Sequence, residues 1–174
     1  MARPVTSPAE FRTERLTLRP LVAGDAAAVA EGIGHWDVIR WLVSPPWPYR
    51  LEDAESFIAR HDSDGALAVT EGDGPVLGVV HIAPSGELGY WLRPEAQGRG
   101  LMTEAATALV AAHFAGSDSD LVSGHLPGNE ASARVLAKLG FRYTAPRRQF
   151  HRAEGREVET LRMALSARDW AGRP

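Results

Sequence analysis

Residues 87–114, ELGYWLRPEAQGRGLMTEAATALVAAHF, constrain the fold more tightly than any other stretch of the chain. Residues 88–92 are apolar and aromatic around Gly89 and read as a buried strand. Residues 93–100 (RPEAQGRG) carry Pro94, Gly98 and Gly100, which mark a turn. Residues 101–114 contain neither Gly nor Pro and are rich in alanine, which predicts a helix. Leu101, Ala105, Ala108 and Ala112 recur at helical spacing and define one face, small enough to pack close to a sheet. A strand that passes through a glycine turn into a helix leaves backbone N–H groups free at the positive end of the helix dipole. Such an arrangement can bind an anion such as pyrophosphate.

Composition limits what that anion can belong to. A chain of 174 residues favours a single domain, expected over residues 11–174 behind a flexible tail at residues 1–10 that holds Pro4 and Pro8. The net charge of −3 indicates no broad basic surface, so no nucleic-acid partner is expected. Lys138 is the only lysine, and Arg supplies the remaining basic residues. The absence of cysteine removes disulfides, thiolate metal sites and a thiol nucleophile together, and fits a reducing, cytoplasmic location. The histidines show no ligand spacing such as H-E-x-x-H, so no metal is expected. No apolar run approaches the roughly 18 residues that span a bilayer, and residues 1–16 lack the apolar core of a signal peptide. No membrane partner is expected.

Read in order, the chain begins with a half-buried strand at residues 15–20 (RLTLRP), stopped by Pro20. Asp25 can cap an alanine-rich helix that reaches about Glu31 and ends at Gly32 and Gly34. Residues 35–42 suggest a short second helix. Three prolines make residues 44–49 (SPPWPY) irregular, with Trp36, Trp41 and Trp47 gathered around them. Those rings can seal the core edge, as buried Trp commonly does, or wall a substrate pocket. A helix is expected at residues 51–61, with Leu51, Ala54, Phe57 and Ile58 on one face. Strands at residues 66–70 and 76–82 flank the turn Gly72-Asp73-Gly74-Pro75 and lead into the strand at residues 88–92, an antiparallel meander. A strand at residues 121–125 follows the central helix as a crossover, which makes these two strands parallel. Asn129 caps a helix that runs to Leu139, with Val135, Leu136 and Leu139 inward and Gly140 at its end. Strand segments at residues 141–143 and 149–152 precede a last strand at residues 158–165, whose apolar side is Leu161, Met163 and Leu165. The expected fold class is α+β, a mixed, mostly antiparallel central sheet flanked by helices. Where its strands part around the crossover, their edges offer free hydrogen-bonding groups.

Known phosphate motifs separate clearly at the glycine turn. A P-loop needs Lys and Ser or Thr after its last Gly, and Leu101 and Met102 stand there instead. The dinucleotide fingerprint needs Gly where Thr103 stands and an acidic residue after the next strand, which ends at His125.

The chain does resemble the GCN5-related N-acetyltransferase superfamily. That family's phosphate signature is Gln or Arg, two residues, Gly, one residue, then Gly or Ala; Gln97, Gly100 and Met102 occupy these places. Met102 departs from the small residue usual there, and is tolerated where its side chain points away from the phosphates. The resemblance is to the ribosomal-protein N-terminal acetyltransferase (RimJ/RimL-like) branch. TERLTLR at residues 13–19, Gly89-Tyr90-Trp91, Thr103-Glu104-Ala105, and the helix pattern Asn129, Ser132, Lys138, Gly140, Phe141 match it in order, over residues 11–170.

The resemblance implies acetyl transfer from acetyl-CoA to a primary amine, possible partners being a protein N-terminus or a small molecule, with a homodimer allowed. It places the CoA pyrophosphate on backbone N–H groups of Gly98, Arg99, Gly100, Leu101, Met102 and Thr103, beside Gln97. It pairs the pantetheine arm with the strand edge at Trp91, Leu92 and Arg93, with an N–H near Leu92 donating to the oxyanion. Asn129 and Lys138 are further CoA contacts; a helix cap and a solvated side chain are their plain structural alternatives. Many relatives protonate the leaving thiolate with a Tyr on the helix after the Asn, a place held here by Leu136, so the implied acid is Ser132. A Ser there can instead bond to local backbone. The implied base is Glu87, with His81 and His125 as alternatives. Within the acceptor side, Asp37, Glu52 and Asp53 could attract a cation. A non-catalytic acyl-CoA-binding protein is the reading from another functional class.

Overall fold

The computed structural model describes residues 10–61 and 65–172. Apart from Glu10, the expected N-terminal tail lies outside the described residues. Five strands form one antiparallel sheet in chain order: β1 (Phe11–Arg12), β2 (Thr17–Pro20), β3 (Leu67–Thr70), β4 (Gly78–Ile82) and β5 (Leu88–Leu92). Between β2 and β3 run α1 (Ala26–Ile33), α2 (Trp36–Ile39) and α3 (Leu51–His61). After β5 come α4 (Leu101–Gly116), β6 (Leu121–His125), α5 (Glu130–Leu139), β7 (Arg142–Tyr143), β8 (Arg147–His151), β9 (Arg156–Leu165) and α6 (Ala167–Ala171). In the second sheet β9 lies between β6 and β7, and its first half forms a hairpin with β8.

The two-residue period of a strand sends successive side chains to opposite faces. Leu67 and Val69 join the core under α4 and α5, while Ala68 joins the core under α1 and α3. Val80 and Val79 divide in the same way on β4, as do Leu92 and Trp91 on β5. The first sheet is therefore covered on both faces.

The parallel crossover is narrower than the sequence suggests. Strands β5 and β6 meet through a single parallel bridge between Glu87 and Val122. Val122 N–H donates to Gly86 O at 3.0 Å, and Ser123 Oγ–H donates to Leu88 O at 2.8 Å. Beyond that point the two sheets part and leave a gap between β5 and β6.

Several local expectations change. Asp25 does not cap α1 through its side chain; it accepts from Arg19 Nη1 and Nη2, both at 2.8 Å, and from Val22 N–H at 2.9 Å. Burial raises the Asp25 pKa, but these donors outweigh it and hold the carboxyl below its ordinary value. Trp36 and Trp47 do not seal the core: they meet edge-on at 5.2 Å and are 39% and 43% exposed. The buried face of α4 is Leu101, Met102, Ala105, Ala106 and Val110, because the larger side chains take the core in place of Ala108 and Ala112. Leu51 on α3 is exposed, and Ala54 and Ile58 carry the packing. In β9 the half paired with β8 buries Val158 and Thr160, and the half paired with β6 and β7 buries Met163 and Leu165 on the opposite side. Leu161 falls at this switch and is half-buried. Helix α6 was not expected; its Trp170 stacks on Phe114 at 5.9 Å.

One cluster ties the first strands to the central helix. Glu104 in the first turn of α4 accepts from Thr13 Oγ–H, from Arg15 N–H at 2.9 Å and from Arg15 Nε at 2.7 Å. Arg15 Nη1 also donates to Arg99 O at 2.9 Å, inside the glycine turn. Burial works to raise the Glu104 pKa, and the hydrogen bonds from Thr13 and Arg15 overcome it and lower it. A depressed carboxylate pKa contributes stability above its unfolded value, and this is lost as pH falls through the folded value. Glu104→Gln should therefore cost about 1–2 kcal/mol at pH 7, and the gap from wild type should shrink below about pH 4. Urea unfolding of both proteins across that range reads the effect.

Candidate functional site

The turn before α4 is built by two residues in the left-handed region, Gly98 at φ +73° and Gly100 at φ +77°. Gly100 is the N-cap of α4 and provides no side-chain cap, so the helix end stays open. The first intrahelical bond runs from Glu104 N–H to Gly100 O at 3.1 Å. The N–H groups of Leu101, Met102 and Thr103 precede it and have no intrahelical partner. The side chains of Leu101 and Met102 are buried in the core, so these residues offer only backbone to a ligand. Met102 thus points away from the anion site, the condition that its departure from the small residue requires.

The side chains of the turn are already engaged. Gln97 Nε2 donates to Leu92 O at 2.9 Å and closes the turn back onto β5. Arg99 pairs with Glu71, outside the cleft. Arg93, whose side chain is 11% exposed, pairs with Glu31 and Glu95, each at 3.2 Å. Its Nε is buried without a partner.

The strand edge can be assigned from alternation. Arg93 N–H donates to Leu77 O at 2.8 Å, so Arg93 faces away from the gap and toward the β4 side. In an antiparallel ladder neighbouring residues point their N–H and C=O groups to opposite edges. Leu88, Tyr90 and Leu92 therefore face the gap, in agreement with Leu88 O accepting from Ser123 and Leu92 O from Gln97. Backbone groups of Tyr90 and Leu92, rather than those of Trp91 and Arg93, are available there. The Trp91 ring packs over Gly32, where an added Cβ would lie 2.9 Å from Cζ3.

Across the gap, Asn129 Oδ1 accepts from Ser132 N–H at 3.2 Å and caps α5. The Ser132 hydroxyl lies 2.8 Å from the Tyr90 hydroxyl. Burial pushes the Tyr90 phenol up to about 12, against the opposing effect of its bond to Ser132. Leu136 is fully buried, so nothing polar takes the place of a helix tyrosine there. Lys138 and Arg134 lie one turn apart on α5, and both line the cleft.

Glu87 sits where the strands part, and its Oε1 accepts from Arg162 Nη1 at 2.7 Å. His81 lies over Gly89, where an added Cβ would come within 2.6 Å of the imidazole Cε1. The His81 ring meets His61 edge-on at 5.5 Å. His125 is buried, with Nδ1 3.0 Å from Leu126 O and Nε2 2.8 Å from Tyr143 OH. Nδ1–H donating to the carbonyl leaves Nε2 to accept from the phenol, a structurally satisfied ring. One cleft of about 990 Å³ joins these parts, from Gln97, Gly98 and Gly100 past Tyr90 and Ser132 to Glu87, His81 and Trp41. Asp53 lines it as well, but Asp37 and Glu52 do not.

Sequence reasoning missed Tyr90, Arg134 and Arg162. Tyr90 had a signal: strand alternation puts it on the face opposite Gly89 and Trp91. The other two depend on how β9 and α5 pack and had none.

Comparison with known structures and sequences agrees with this architecture. A GNAT-family acetyltransferase from Bacillus anthracis superposes with a TM-score of 0.80 at 20% identity, covering 92% of this chain and 99% of the other. The microcin C7 self-immunity acetyltransferase MccE, whose structure was solved with acetyl-CoA and AMP, gives 0.73 at 19% identity, covering 88% of this chain and 93% of the other. In sequence, YdaF of Bacillus subtilis (strain 168), provisionally named a ribosomal N-acetyltransferase, is 26% identical over 91% of this chain and 95% of its own. Residues 15–142 match the acetyltransferase (GNAT) domain model, and the chain belongs to that family of N-acetyltransferases.

The open helix end rests on glycine geometry. Gly100→Ala should cost about 1–2 kcal/mol, because an L residue in the left-handed region is strained. Gly116→Ala, with nothing within 4 Å of an added Cβ, should stay within about 0.5 kcal/mol of wild type. Denaturant midpoints of the two variants test the contrast.

Proposed function

We propose that the chain transfers an acetyl group from acetyl-CoA to a primary amine, a protein N-terminal α-amine first among candidates, by direct attack in a ternary complex. The supporting observation is the continuity of one cleft from the open N-terminus of α4, along the free edge of β5, to Glu87. The name of the Bacillus subtilis relative supports the choice of acceptor, and the acetyl-CoA complex of MccE supports the choice of donor.

Each part of the chain then has a task. The N–H groups from Gly98 to Thr103 hold the pyrophosphate at the positive helix end. Lys138 and Arg134, which form no ion pair among the described residues, add positive charge on α5. Backbone groups of Tyr90 and Leu92 pair with the amide-rich pantetheine arm, and Leu92 N–H is the donor proposed for the developing oxyanion. Glu87, fixed by Arg162, holds the amine or the water that takes its proton. Ser132 supplies the hydroxyl at the leaving sulfur.

Acetyl-CoA offered with a panel of peptides and small amines should release thiol and acetylate an N-terminal α-amine, read by mass. Preference for a small amine would replace the protein acceptor. Thiol release with no amine on a broad panel would overturn transfer altogether. Replacing Arg134 and Lys138 together by Ala should raise KM for acetyl-CoA about tenfold with kcat within about twofold, the mark of lost uniform binding. Glu87→Gln should alter the pH profile of kcat/KM; an unchanged profile removes Glu87 from proton transfer.

A further inference from the structure

The hydroxyls of Tyr90 and Ser132 lie 2.8 Å apart, and both residues line the cleft. They come from opposite sides of the gap, Tyr90 from β5 and Ser132 from the first turn of α5. Two hydroxyls share one hydrogen bond, so one proton remains for a second acceptor. The position of that proton depends on which oxygen donates.

If Ser132 donated, the Tyr90 proton would either turn into the cleft or be left with Ser132 O at 3.4 Å. That distance is beyond the usual range for an O–H···O bond. If Tyr90 donates, its proton is well placed at 2.8 Å and the Ser132 proton is free to turn into the cleft. An anion beside Ser132 Oγ favours the second arrangement, because a hydrogen bond to a charged acceptor is the stronger kind. Tyr90 keeps its proton across the neutral range, and a phenol is a better donor and a poorer acceptor than an alkyl hydroxyl, which favours Tyr90 as the donor.

We propose that Tyr90 is a positioning residue for the leaving thiol: it donates to Ser132 Oγ and so aims the Ser132 proton at the CoA sulfur. This rests on the reading that the CoA thiol end lies between β5 and α5. As the acetyl carbon–sulfur bond breaks, its electron pair goes to sulfur, which takes the Ser132 proton. Ser132 recovers a proton from the one released by the acceptor nitrogen through solvent, so the net proton moves from nitrogen to sulfur. Tyr90 keeps its own proton throughout and makes Ser132 a better donor by polarising it. The arrangement supplies from a strand an aromatic hydroxyl that α5 lacks.

The test needs no acceptor amine. Thiolate absorbance of stoichiometric CoA bound to the protein is titrated with pH. In wild type the bound thiol should titrate lower than free CoA by about 1 unit, the size of one such hydrogen bond. Tyr90→Phe and Ser132→Ala should each remove most of that shift, and the double variant should remove no more than Ser132→Ala alone. CoA affinity of Tyr90→Phe should stay within about twofold of wild type, which separates positioning from packing. Tyr90→Leu gives the same readout where the Phe variant does not fold. A wild-type shift retained in Tyr90→Phe, additive losses in the double variant, or bound CoA with no shift at all would each overturn the inference. Failure to bind CoA would instead sink the proposed donor, and this inference with it. A normal shift without acetyl transfer would leave the positioning intact and sink only the transfer.

Discussion

The site depends on a carboxylate that does not line the cleft. Glu104 gathers Thr13 and Arg15 from the chain before β2, and Arg15 reaches on to Arg99 O in the glycine turn. A helix N-terminus attracts anions indiscriminately, and a nearby carboxylate would normally compete with a bound phosphate. Here the Glu104 charge is spent on Arg15 and on local donors, so the open N–H groups beside it stay available. The same bonds fix where α4 begins against the first sheet. The fold and the candidate site use one interaction.

Alternation along β5 then sorts the chemistry. Tyr90 turns toward α5 and Ser132, while Gly89 and Trp91 turn toward α1, α3 and His81. The backbone does the reverse sorting within the sheet plane, giving Tyr90 and Leu92 to the gap and Arg93 to Leu77. One short strand thereby presents two different faces and an edge. Gly89 has no side chain because the His81 imidazole occupies that space, and Gly32 has none because Trp91 does.

Much of this was legible from residue order. The strand, glycine turn and helix at residues 87–114, the Asn129 cap and the Gly140 stop all depend on local geometry, and they appear where the sequence put them. Trp41 lines the cleft, one of the two readings left open for the tryptophans. The Asp25 cap and the core seal for Trp36 and Trp47 failed for a common reason. A local signal, a cap or a large ring, competes with partners that are distant or adjacent only in space. Asp25 was taken by Arg19, and Trp36 found Trp47 at the surface instead of the core. The buried face of α4 shifted because helical period fixes which residues share a face, and packing selects the face.

The sequence by itself determined the class of the protein: a chain whose glycine turn opens a helix end, with matched segments in family order on both sides. It also set the condition on which Met102 could stand where a small residue is usual, that its side chain turn away from the glycine turn, and the packing of α4 met it. Only the tertiary structure decided which side chains meet across the gap. Thr13 and Glu104 lie 91 residues apart, Glu87 and Arg162 75, and Tyr90 and Ser132 42. Spacing along a chain constrains neighbours within a turn or a strand, and says nothing of pairs that come together only when two sheets are packed against the same helices.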